Sequence, residues 1–108
     1  MGKQIDIDVI RGYLQNDKVF LTAHVNARME ERDIRISEVY KAIQNGEIIE
    51  QYEDDTPFPS CLILGKTDND KALHVVVSDE DEGSHVITTY RPNPEKWSED
   101  FRTRREQP

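Results

Sequence analysis

The chain has 108 residues, 35% hydrophobic and 33% charged, with a formal net charge of −8. That length is one domain with a modest core, and apolar residues gathered in periodic blocks exclude a disordered chain. The acidic balance argues against broad electrostatic binding of nucleic acid, and no apolar run approaches the ~20 residues of a membrane span.

In chain order, Ile5, Val9, Ile10, Tyr13 and Leu14 fall at helical steps, with Gly12 weakening the pattern. Lys18 to Leu21 reads as a short connector or strand. Thr22 is placed to cap a second helix running to about Asp33. Ser37 is placed to cap a third, Glu38 to Asn45, with Val39, Ala42 and Ile43 as its buried stripe, and Gly46 reads as a left-handed stop. Strands are then expected at Glu47–Tyr52, Ser60–Lys66, Ala72–Ser78 and Ser84–Arg91. Their short connections favour consecutive antiparallel pairing. On the third of these strands Leu73, Val75 and Val77 share the side that should meet the helices, and His74 points the other way. The tail from Pro92 carries a short helix around Trp97 and Phe101, and its basic part from about residue 98 is a candidate mobile segment. The expected fold is thus a single α+β domain over residues 1–108. Its N-terminal helices pack on a four-stranded antiparallel sheet, followed by a short C-terminal helix.

Candidate functional residues come from two places. On the second helix His24, Arg28 and Glu31 lie within about 60° of one another, bordering the apolar stripe Leu21, Val25 and Met29 rather than opposing it. A rim position of this kind suits a side chain that reaches a cleft. Its plain alternative is an exposed Arg28–Glu31 ion pair. On the sheet, His74 is the one polar residue in an apolar strand, and an imidazole titrates near neutral pH. Its plain alternative is a structural histidine bonded to its surroundings. Tyr90 and Arg91 end the last strand, where such residues can stack on a base or hold a phosphate; Tyr90 serves equally as core filling. The tail, with Trp97, Arg102, Arg104 and Arg105, is the locally basic region.

No Gly-rich phosphate loop or nucleophile elbow occurs, and one cysteine with three scattered histidines is a poor zinc set, so neither cofactor nor metal is expected. Cys61 sits in an apolar run and reads as a buried thiol of a reducing compartment. The N-terminus has no signal-peptide pattern, so a cytoplasmic location is expected. The runs Glu53–Asp55 and Asp79–Glu82 read as solvated turns, or as a contact for a basic protein partner.

The series His24, Arg28, Glu31-Arg32-Asp33-Ile34, Glu38-Val39, Asn45-Gly46-Glu47-Ile48-Ile49-Glu50, Pro59-Ser60, Leu73-His74-Val75-Val76-Val77, Ile87-Thr88-Thr89-Tyr90-Arg91-Pro92 and Trp97 resembles the bacterial family known as domain of unknown function 4258. The resemblance spans about Leu21 to Trp97 and implies a fold more than an activity. More distantly, helices followed by an antiparallel sheet look like the ribonuclease toxins of the RelE and barnase type. By role, that likeness implies His24 and His74 as acid and base, Arg28 as phosphate clamp, Glu31 as its orienter and Tyr90 as a stacking or relay group. Two functions are therefore expected: a non-catalytic interaction or regulatory module with a protein partner, or a metal-independent ribonuclease-like domain. RNA is disfavoured as a partner by the net charge.

Overall fold

The computed structural model describes residues 3–106. Helices α1 (Ile7–Gln15), α2 (Ala23–Glu31) and α3 (Ile36–Asn45) accompany five strands. These are β1 (Val19–Phe20), β2 (Glu47–Tyr52), β3 (Ser60–Lys66), β4 (Ala72–Ser78) and β5 (Ser84–Tyr90), in the sheet order β1-β5-β4-β3-β2. The fold is α+β, as expected, but the sheet is mixed and has five strands rather than four. The extra strand is the connector, whose Val19 and Phe20 run parallel to Ser84 and His85. Parallel pairing requires a long connection, and here most of the domain separates the two segments.

Local chemistry sets the helix ends. Asp6 caps α1 through Asp8 N, and Thr22 caps α2 by accepting from Val25 N at 3.2 Å. Helix α2 closes where Asp33 takes a left-handed φ of 55°, which Asp tolerates better than most side chains. Ile34 then folds back into the core instead of Ile36, which stays exposed. Helix α3 starts earlier than its expected Ser37 cap: Arg35 occupies the capping position and its N–H donates to Glu38 at 3.0 Å. At the far end Gly46 is extended, not left-handed. Glycine is needed there for close approach, since a Cβ would lie 2.4 Å from Ala42 O and 2.5 Å from Leu64 O. Arg11 serves the end of α3 as well, donating to Ile43 O at 3.0 Å and Gly46 O at 2.7 Å.

The three helices lie on one face of the sheet. Val25, Met29, Val39, Ala42 and Ile43 meet Cys61, Ile63, Leu73, Val75 and Val77 there in one buried cluster. Gly65 lets α3 sit directly on β3, because a Cβ would come within 2.5 Å of Ala42 Cα. Gly65→Ala must push backbone against backbone, so a loss of about 2 kcal/mol in urea-unfolding free energy is expected.

The other face is covered by the C-terminal segment. The helix expected around Trp97 and Phe101 is absent; residues 92–106 form turns with a bridge between Trp97 and Arg104. Side chains compete for the backbone here. Asn93 Oδ1 accepts from Glu95 N, Asp100 Oδ1 from Arg102 N, and Ser98 Oγ from Thr103 N. Phe101 takes a φ of 61°, which ends any helical run. The result is a strap that buries Trp97 against the sheet.

Candidate functional site

The four principal candidates fall into two pairs. His24 and Arg28 are exposed on α2, beside the outer edge of β5. His74 lies on the opposite face of the sheet: its neighbours Leu73 and Val75 join the helix-side cluster, whereas its own ring meets the strap. Tyr90 is directly across from His74 in the β4–β5 register, with its Oη 3.3 Å from His74 Nδ1. His74 and Tyr90 therefore come together, His24 and Arg28 come together, and no single cleft holds both pairs. Glu31 pairs with Arg28 at 3.0 Å on the exposed surface.

The strap side is a closed polar cluster. His74 is fully buried, with Trp97 edge-on at 4.5 Å and Phe101 O 2.9 Å from Nε2. A carbonyl can only accept, so Nε2 carries the proton and Nδ1 accepts from the Tyr90 hydroxyl. Desolvation lowers the pKa of His74 below its ordinary value, with Arg104 acting the same way. The bond to Phe101 O and the charge of Glu50 oppose this without prevailing. Burial would raise the pKa of Glu50, but Arg104 at 3.0 Å and the Tyr52 hydroxyl at 2.5 Å outweigh it and hold the carboxyl low. Arg104 also stacks 4.7 Å above the Trp97 ring. Both ring nitrogens of His74 are satisfied internally, and no water reaches the imidazole. Glu50, Tyr52 and Arg104 were not legible as its companions, because strands and tail meet only in the fold.

The helix side is open. His24, Arg28 and Arg32, each four residues apart, face Thr88 and Thr89 across a depression of about 130 Å³. Arg32 Nη1 donates to Thr89 O at 2.8 Å. Arg32 also lines a second cleft of about 400 Å³, together with Asp33, Arg35, Glu38, Asp68, Lys71 and Arg91, and so stands between the two concavities. Arg91 is structural: it binds Glu38, Thr67 Oγ1 at 2.8 Å and Ala72 O, tying the start of α3 to the β3–β4 turn. Asp68 is taken by Lys41 at 2.8 Å. Among the described residues Arg32, Arg35 and Lys71 have no carboxylate partner. His24 and Arg28 were picked out by their helical spacing; Arg32, Arg35 and Lys71 join them only through the fold.

Charge is sorted between the ends of the sheet. Tyr52 lies across from Ser60, and Ser60 across from Ser78, so both acidic runs emerge at one end. Much of that acidity is turned inward. Asp79 is 3% exposed and accepts from Tyr13 Oη at 2.7 Å and from Lys3 at 3.3 Å. Glu80 accepts from Ser78 Oγ at 2.6 Å and lies 3.0 Å from His85 Nδ1. Arg32, Arg35 and Lys71 stand at the other end, with Asp33 and Asp68 among them. The tail's own arginines are engaged, Arg102 with Glu47, Arg104 with Glu50 and Arg105 with Pro94 O.

The family model for a domain of unknown function, DUF4258, matches residues 21–91, from the turn before α2 to the end of β5. No curated protein and no solved structure matches the chain. No helix among the described residues is long and apolar enough to cross a membrane.

Proposed function

Since this chain belongs to the DUF4258 family, whose description names no activity, we propose its role from geometry: a non-catalytic interaction module that holds an acidic segment of a partner protein in the groove between α2, α3 and β5. One observation carries this reading. Arg32, Arg35 and Lys71 stand unpaired in one concave surface of a chain whose net charge is −8. Glu38 and Asp68 in the same cleft are taken by Arg91 and Lys41, which leaves Asp33 beside three cations, and an anionic ligand suits that excess of positive charge. The acidic loop is the weaker contact, because Asp79 and Glu80 are committed to internal partners. A bacterial cytoplasmic setting belongs to the same reading, supported by the lone buried thiol of Cys61.

Titration calorimetry with a nine-residue peptide alternating valine and glutamate tests it. Binding is expected, weakening as salt is raised. Neither Arg35 nor Lys71 makes a side-chain hydrogen bond or ion pair among the described residues, so Arg35→Glu with Lys71→Glu should leave the fold intact. That double reversal should weaken binding about tenfold, or about 1.4 kcal/mol. Unchanged affinity would sink the proposal.

A second reading rests on His24. It shares its depression with Arg28 and Arg32, so a ribonuclease-like reaction would have an acid–base group beside two phosphate clamps. His74 and Tyr90 would then act only through the fold. Turnover of a fluorogenic RNA that disappears in His24→Ala would favour this reading over the binding module.

A further inference from the structure

Resting on the reading of the groove as the contact surface, we propose that the bound segment is an extended acidic peptide that adds a sixth strand to the outer edge of β5. The edge is open. Strand β1 covers only Ser84 and His85 before the chain turns into α2, and among the described residues no strand pairs with Ile87–Tyr90 on that side. Exposed edges recruit strands unless they are blunted. Here α2 lies alongside and Arg32 Nη1 donates to Thr89 O, standing where the N–H of a neighbouring strand would stand. Within a strand the N–H and C=O of one residue point to the same edge, so the Thr89 N–H faces outward too. An incoming strand replaces the Arg32 donor with its own backbone and frees the arginine.

The surroundings specify the occupant. Freed Arg32 gives the new strand a positive neighbour that an acidic side chain satisfies, with Arg28, already paired to Glu31, beside it. Ile87 and Phe20, each 47% exposed, offer apolar contacts to the side chains between. A second copy of the chain fits less well. Edge-to-edge pairing of two β5 strands would bring both sets of Arg28 and Arg32 together.

The test uses the alternating valine–glutamate peptide, the same peptide N-methylated through its central residues, and a valine–lysine peptide. Binding is read by calorimetry, and the Thr89 amide by hydrogen exchange. The unmodified acidic peptide should bind and protect the Thr89 amide. The N-methylated one should bind at least about tenfold more weakly, since it cannot pair backbone to backbone. The lysine peptide should not bind. Equal, salt-sensitive binding of both acidic peptides without Thr89 protection would overturn strand addition while leaving the groove as the contact. No binding of either acidic peptide would overturn both. Concentration-dependent dimers that protect Thr89 without peptide would make a second copy the occupant and overturn the acidic peptide.

Discussion

Replacing Trp97 with alanine is expected to cost about 3 kcal/mol of unfolding free energy, a large effect for a residue outside the helix-side core. The ring is 4% exposed and fills the space between the sheet and the strap. It supports three groups at once: the imidazole of His74 at its edge, the guanidinium of Arg104 above it, and through Arg104 the carboxylate of Glu50. Truncation leaves a cavity beside a buried imidazole and removes the platform on which Arg104 is stacked. Urea unfolding followed by circular dichroism measures the loss. Hydrogen exchange should show strap amides such as Arg105 N, which donates to Lys96 O, opening first. A loss below about 0.5 kcal/mol would mean that the strap contributes little to the stability of the sheet.

Mild acid should loosen the same layer. The pKa of His74 is lowered in the folded protein, first by burial, from an ordinary value of 6.5. The unfolded chain therefore binds the proton more readily. Stability from the neutral ring is complete above about pH 6.5 and declines as pH falls below it. Protonation would also place a hydrogen on Nδ1, which now accepts from Tyr90. The charged groups facing the ring are Glu50, which favours the proton, and Arg104, which opposes it. Glu38, Glu50 and Asp79 are held below their ordinary values of 4.5, 4.5 and 3.8, so their stabilising contributions persist until the pH falls further. Trp97 is the only tryptophan, and its emission reports the strap directly. A red shift is expected as the pH falls below about 6.5, and His74→Gln should abolish it. A shift of equal size in that variant would assign the transition elsewhere.

The alternation of β4 and the periodicity of α3 were enough to place Leu73, Val75, Val77, Val39, Ala42 and Ile43 in the core. Thr22 could be recognised as a cap from its place before an amphipathic run. Lys18 to Leu21 read as a connector or strand, but its place in the sheet was illegible because a two-residue segment has no period and its partner lies more than sixty residues away. The strap was misjudged as helix because Trp97 and Phe101 have helical spacing, while the turn-forming bonds of Asn93, Ser98 and Asp100 carry no periodic signature. Half of the candidate site followed from spacing along one helix. The alternation of β4 also put His74 on the face away from the helices; that the C-terminal segment covers that face became visible only in the fold.

The sorting of charge also bears on how fast a partner arrives, and from which direction. Acidic loops at one end of the sheet and Arg32, Arg35 and Lys71 at the other make the surface charge uneven on a chain of net charge −8. On the proposed reading, an acidic segment would be repelled by the molecule as a whole and admitted at one end, so encounters would be oriented before any contact forms. Collisions elsewhere on the surface are short-lived. Salt weakens the repulsion and the attraction together, and the association rate records which of them dominates at the groove.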